Sequence, residues 1–305
     1  MVQASSAVGG GVLLAIASAT AFGLSGSLAT GLLTTGWSPG AIVLVRMGIA
    51  AIVLAPFALT ALRGRWHLLR RQAGLVLTYG VLAVAGAQFC YFSAVARMDV
   101  GPALLIEYTA PAAVVAWLWL RRGQRPGKLT VTGAAIAAAG LVLVLDLTSG
   151  AHLAWSGVAW ALAAMVGATA YFLISADTDS GLPPLALAGV GLTIGTLTLG
   201  LAALTGLLPM HAATTPIAFA PATVSWWVPL LLLGLVTAAF GYATGIAASR
   251  RLGSRVASFV ALLEVVAAVV FAWLLVDQLP GPLQLAGGLL VIGGVVAVKL
   301  GDRAI

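Results

Sequence analysis

Ten runs of roughly 20 apolar residues, divided by short breaks, occupy most of this sequence, and about that length is needed to cross the hydrocarbon core of a bilayer. They fall at about 8–33, 39–61, 73–96, 101–120, 129–146, 153–175, 183–207, 225–249, 255–275 and 283–300. Charged residues make up 8% of the chain, against roughly 25% in soluble domains. A water-soluble fold of this composition could not cover its own surface with polar groups. The expected fold is therefore an all-α integral membrane protein of ten transmembrane helices, each segment satisfying its own backbone hydrogen bonds. The first run continues past Ala21 to Leu33 and lacks a positive leader, so it reads as a membrane helix, not a cleaved signal.

The net charge of +7 would suggest nucleic acid in a soluble protein. Here the basic residues cluster in the breaks, which is the orientation signal of a membrane chain, and no nucleic-acid partner is expected. With the N-terminus inside, the inner breaks hold Arg63, Arg65, Arg70, Arg71, then Arg121, Arg122, Arg125, Lys128, then Arg250, Arg251, Arg255, and finally Lys299 and Arg303. That is 4 + 4 + 3 + 2 = 13 of the 15 lysines and arginines. The outer breaks hold Arg97, and Arg46 lies inside a run. Both termini are thus expected to be cytoplasmic, in an inner (plasma) membrane. The longest break, Leu208 to Val224, has no lysine or arginine.

Sliding the sequence by 154 positions reveals an internal repeat. Arg97 falls on Arg251, Trp119 on Trp273, Gln124 on Gln278, Pro126 on Pro280, Gly127 on Gly281, Gly133 on Gly287 and Gly140 on Gly294. The first and sixth runs also echo each other, with ATAF at 19–22 and ATAY at 168–171. Charge reverses between the copies: the turn RRGQRPGK is basic, whereas its counterpart LVDQLPGP has no positive charge. Two units, 1–147 and 148–305, each of five helices and of opposite orientation, are expected to enclose a central cavity. Glycines inside the runs are expected to bring helix backbones close together.

Chemistry can reside in few places. The single cysteine, Cys90, excludes an intramolecular disulfide, and His67, His152 and His211 fall in three different breaks, so no metal or cofactor is expected. Arg46, Glu107 and Glu264 are the charged residues well inside runs, where an ionisable group marks a cavity or a buried ion pair. Counting at 1.5 Å per residue puts Arg46 and Glu107 about 9–10 Å below the outer surface, a depth match that suggests an ion pair between them. Glu264 comes out about 14 Å deep with no cation at its level. In the repeat register it falls on Ala110, one helical turn from Glu107, so both acids are expected to face one shared space. An unpaired acid there could take up and release a proton. Tyr108, Tyr171 and Tyr242 are candidate cavity residues, with Gln88, Tyr91 and Trp160, because tyrosine offers an apolar face and one hydroxyl. Tyr79, Trp119 and Trp273, near run ends, read as interfacial anchors. Pro56, Pro111 and Pro229 interrupt runs and free carbonyls.

The stretches SPGAIVLVRMGIAAIVL at 38–54, PALLIEYTAPAAVVAWLWLRRGQRP at 102–126 and VASFVALLEVVAAVVFAWLLVDQLPGPLQLAGGLLVIGGVVAV at 256–298 resemble the EamA-type transporters of the drug/metabolite transporter superfamily. The resemblance implies two tandem units, alternating access around a central cavity, and export of amino acids, related metabolites or drugs. It matches Arg46 to the family's second-helix arginine and Glu264 to its ninth-helix acid. Two positions depart: Val265 replaces a usual proline and Asp277 a usual glutamate. The expected partners are a small-molecule substrate, the lipid bilayer and protons as coupling ion. Two units in one chain make a monomer sufficient and leave a homodimer open. A nucleotide-sugar or phosphate-ester exchanger is the nearest rival, although it would need several cavity cations and only Arg46 is available. A channel or facilitator lined by Glu107 and Glu264 is another. An intramembrane enzyme fits less well, since no run contains a histidine.

Overall fold

The computed structural model describes residues 2–95, 97–98, 100–145 and 154–302. The expected junction at 147/148, the run ends at 96, 146 and 153, His152 and Arg303 lie outside them. The fold is a bundle of helices. We label them α1 (Val2–Thr34), α2 (Pro39–Ala61), α3 (Ala73–Val95), α4 (Val100–Glu107), α5 (Ala110–Arg122), α6 (Lys128–Val144), α7 (Trp155–Ser175), α8 (Pro184–Leu204), α9 (Trp227–Ala261), α10 (Leu263–Val276) and α11 (Pro282–Asp302). Among the described residues, eight helical stretches are long and apolar enough to cross a membrane, and α6 and α10 are shorter apolar helices. The protein is a multi-pass membrane protein.

Local sequence sets the helix ends. Ser38 caps α2, its hydroxyl accepting from Ala41 N at 3.3 Å with Pro39 in the first turn. Gly123 closes α5 in the left-handed conformation (φ 67°), where the missing Cβ removes the steric penalty. The position 154 residues on is Asp277, which closes α10 in the same left-handed region (φ 55°) and is the non-glycine residue that adopts it among the described residues.

Four differences from the expected segments bear on the site. The fourth run is broken at Tyr108–Thr109, so α4 ends on Glu107 and α5 starts anew, with Pro111 in its first turn. The eighth and ninth runs are joined through Gly253, whose backbone (φ 76°, ψ 162°) leaves the helical region within α9. A second break follows at Leu262, the position that a shift of 154 assigns to Tyr108. Pro111 maps onto Val265, so this second break forms without a proline. Val265 N bonds instead to Leu262 O, three residues back. The fourth difference is the long break, which is not purely irregular: β1 (Ile217–Ala218) pairs antiparallel with β2 (Thr223–Val224).

That break docks across the bundle end. His211 N donates to the Ser38 hydroxyl at 2.9 Å, Trp37 Nε1 to Ala213 O at 2.7 Å, and Ala220 N to Leu275 O at 2.8 Å.

Inside α3 the helix widens to π geometry over Tyr79–Gly86, and inside α9 over Leu233–Phe240. A shift of 154 residues carries one segment onto the other. Widened turns displace the side chains that follow them, and they concentrate at functional sites. Helices α6 and α11 run antiparallel and touch through glycine. A Cβ at Gly133 would lie 2.8 Å from Gly294 O, and one at Gly140 would lie 2.6 Å from Gly287 O. Both contacts are backbone to backbone, the close approach that small residues permit. Elsewhere, α1 packs on α9 and α10, α7 on α3, α4 and α5, and α2 on α8.

Candidate functional site

A cavity of about 470 Å³ lies between α1, α2, α3, α4, α7, α9 and α10. Of the nine side chains expected to form a site, eight line it: Arg46, Gln88, Tyr91, Glu107, Tyr108, Tyr171, Tyr242 and Glu264. Trp160 does not. Its ring stands edge-on to Phe89 at 5.7 Å, with the Arg97 guanidinium 5.8 Å from its centre. Its helix position turns it toward the neighbouring α3, a direction that sequence periodicity alone could not assign. Tyr79 is also corrected: it is fully buried, not interfacial, and its ring lies 6.0 Å from that of Tyr171. Trp119 and Trp273 are exposed at helix ends.

The two acids reach the cavity from opposite sides of matching helix breaks. Glu107 is the last residue of α4, and Glu264 lies in the first turn of α10. Each break brings an acid to the cavity wall. Glu264 has further support from α1: a Cβ at Gly23 would lie 2.7 Å from Glu264 O, so only glycine lets α1 approach this closely.

The expected Arg46–Glu107 ion pair does not form. Among the described residues the salt bridge is Arg255–Asp302, at 3.1 Å. The Arg46 guanidinium sits 5.9 Å from the centre of the Phe22 ring and shares the cavity lining with Glu264. Glu264, expected to have no cation at its level, lines one cavity with Arg46 and Tyr108. Depth counting assumed an unbroken ninth helix, whereas the chain breaks at Leu262, two residues before Glu264.

Aromatic rings form one wall. Phe22 meets Tyr242 edge-on at 5.3 Å, and Tyr171 meets Tyr242 edge-on at 5.6 Å. Edge-to-face packing of this kind fixes ring orientation as well as burying area. The sequence reading missed Phe22, although the signal was there. In the ATAF and ATAY echo, Phe22 is the counterpart of Tyr171, and both residues pack against Tyr242. Gly245 leaves space for the Tyr171 hydroxyl, which a Cβ there would strike.

Most cavity hydroxyls are already engaged. Ser18 donates to Gly241 O at 2.8 Å, Ser249 to Gly245 O at 2.9 Å and Ser258 to Arg255 O at 2.8 Å. Arg46 Nε and the Tyr171 hydroxyl are buried without a hydrogen-bond partner among the described residues. A buried polar atom left this way costs about 1–3 kcal/mol.

The cavity walls differ between the two ends of the bundle. Toward the end that carries Trp37 and the β1–β2 hairpin, Gly26, Leu33 and Pro39 line it and are exposed. Toward the end rich in arginine, its lining residues Ala248, Ser249, Ala257 and Ser258 are buried. Beyond them Arg250 Nε donates to Ser175 O at 2.8 Å, and Arg255 bonds Asp302 at 3.1 Å and Gln124 O at 3.3 Å.

Comparison with known proteins agrees with this architecture. A solved crystal structure with 22% sequence identity superposes with a TM-score of 0.75, covering 98% of each chain, which shows a shared fold. A protein of Streptantibioticus cattleyicolor named as a probable terminal-alkyne amino-acid exporter is 28% identical over 272 residues, 87% of this chain and 85% of its own length. The sequence model of the EamA-like transporter family matches twice, at residues 9–146 and again at 155–300. With both halves of the bundle matched and a cavity lined from both, the chain belongs to the EamA-like transporter family, of the drug/metabolite transporter type.

Proposed function

We propose that this protein is a secondary active exporter of small amphipathic metabolites, amino acids foremost, working by alternating access and driven by proton antiport. The observation that carries the reading is the cavity itself: one cation, two acids and an aromatic wall, sealed by buried residues at the arginine-rich end. Its volume of about 470 Å³ suits a small molecule, since such sites run from roughly 300 to 1,000 Å³. The name of the Streptantibioticus relative supports amino acids as the class.

In this reading all ten apolar segments cross the plasma membrane as two inverted units, 1–147 and 148–305, with both termini cytoplasmic. The glycine contacts support the inversion. Under the 154-residue shift the pair Gly133–Gly294 becomes Gly287–Gly140, as a two-fold axis lying across antiparallel helices requires. Positive-inside orientation makes the arginine-rich end cytoplasmic, so the sealed end faces inward and the described state is outward-facing. Transport then consists of rocking the two units until the arginine contacts at the inner end release and the outer wall closes.

Proton antiport follows if a proton and the substrate's ammonium group compete for one carboxylate. Glu264, which lines the cavity with Arg46, is the assigned carrier. The phosphate-ester reading is disfavoured, because Arg46 is the one cation among the lining residues.

The test is counterflow of a labelled aliphatic amino acid, propargylglycine, in proteoliposomes with and without an imposed pH gradient. Saturable counterflow accelerated by the gradient in the wild type, and insensitive to it in Glu264→Gln, is expected. Unsaturable flux would mean a channel. Counterflow of unchanged pH dependence in Glu264→Gln would end the coupling assignment.

A further inference from the structure

Arg46 is 8% exposed, its Nε has no partner among the described residues, and it lines the cavity opposite an acid that it does not touch. In a low-dielectric interior, opposite charges attract strongly and close to contact unless something holds them apart. The Phe22 ring sits against the guanidinium, 5.9 Å from its carbon, and Phe22 is itself fixed by its edge contact with Tyr242. The backbone of Glu264 is fixed by the close approach of α1 at Gly23, where a Cβ would lie 2.7 Å from Glu264 O. Arg46 and Glu264 thus line one cavity without a salt bridge between them.

We infer that Arg46 and Glu264 form a two-pronged subsite for a zwitterion, Arg46 taking the substrate's carboxylate and Glu264 its ammonium. The inference rests on the amino-acid reading above and adds to it the groups that select the substrate. A guanidinium offers several N–H donors in a planar fork matched to a carboxylate, and Arg46 lines the cavity with no salt bridge among the described residues. Tyr171 lines the same cavity, with its hydroxyl packed against Gly245. The side chain of the amino acid then lies against the aromatic wall of Phe22, Tyr171 and Tyr242.

Both prongs are needed for a physical reason. A zwitterion between Arg46 and Glu264 leaves the cavity's net charge unchanged and gives each of those two groups a counter-charge, while Glu107 lines the same cavity as a second acid. A substrate that lacks one group leaves a desolvated charge without a counterpart, which costs far more than the missing hydrogen bonds. A site with buried polar groups therefore rejects an analogue that lacks the matching group more strongly than it rejects a change in apolar size.

The experiment measures competition with labelled norvaline in wild-type proteoliposomes by three unlabelled compounds: norvaline, norvalinamide and pentanoate. The amide lacks the carboxylate and pentanoate lacks the ammonium. Norvaline is expected to compete at least about tenfold better than either. In Arg46→Gln the preference for norvaline over the amide is expected to vanish, and in Glu264→Gln the preference over pentanoate. If either analogue competes as well as norvaline in the wild type, the two-pronged subsite is overturned while the transporter reading stands. If both variants keep the wild-type order of preference, it is overturned as well. Absence of norvaline counterflow in the wild type would refute the amino-acid reading and this inference together. The wild-type series needs no substitution and decides the matter even if a variant fails to fold.

Discussion

The α6–α11 seam makes one substitution unusually diagnostic. Gly293 and Gly294 are neighbours on α11, yet a Cβ at Gly293 would meet nothing within 4 Å, whereas one at Gly294 would lie 2.6 Å from both Gly133 O and Ala137 N. Ordinary contact begins at 3.4 Å, so Gly294→Ala must push the helices apart by 3.4 − 2.6 = 0.8 Å. A gap of about 0.5–1 Å forfeits a quarter to a half of the attraction between the atoms it separates. Overpacking a fitted interface costs about 1–3 kcal/mol. Gly293→Ala meets no such obstacle and is expected to be neutral or to gain up to about 1 kcal/mol from helix propensity. The difference between adjacent alanines thus isolates the clash.

A second substitution sharpens the result. Gly133→Ala strikes the same seam, 2.8 Å from Gly294 O. Once one alanine has parted the helices the other finds room, so the double variant should cost less than the sum of the singles, by at least about 0.5 kcal/mol. The assay is denaturant or thermal unfolding of purified protein in micelles, comparing Gly293→Ala, Gly294→Ala, Gly133→Ala and the pair. Equal stability of the two neighbouring alanine variants, or strict additivity of the pair, would refute the argument that backbone contact through these glycines holds α6 against α11.

Three further outcomes are expected. Asp277→Gly relieves a left-handed backbone (φ 55°) at the end of α10 and should stabilise the protein by about 1 kcal/mol in the same unfolding assay; a loss of stability would mean that the carboxylate contributes more than its strain costs. Arg255→Ala removes the contacts to Asp302 and Gln124 at the arginine-rich end, so in a Cys90→Ala background a Ser249→Cys probe should react several-fold faster with a water-soluble thiol reagent. An unchanged rate would deny Arg255 a sealing role. Gly245→Ala places a methyl on the Tyr171 hydroxyl, and should weaken norvaline competition as well as cost about 1–3 kcal/mol in unfolding; unaltered competition would remove Tyr171 from the binding surface.

The sequence alone determined the membrane class and the approximate positions of the apolar segments, and it named eight of the side chains that line the cavity. Apolar length, charge scarcity and a 154-residue echo are local or periodic signals, and they survive without knowledge of packing. The tyrosines and acids were legible for the same reason: a polar atom inside an apolar run stands out wherever it ends up. What only the tertiary structure decided is who faces whom. Arg46 packs near Phe22 and forms no salt bridge with Glu107 among the described residues, and breaks at Tyr108–Thr109 and Leu262 interrupt the helices that depth counting assumed continuous. The break at Leu262 forms without a proline, so no residue type announced it. Trp160 and Tyr79 changed places in importance, one packed outside the cavity and the other buried behind its aromatic wall, because rotation about a helix axis is set by neighbouring helices. Where every face of a helix is apolar, composition gives no preferred face, and the choice falls to close packing between segments far apart in the chain.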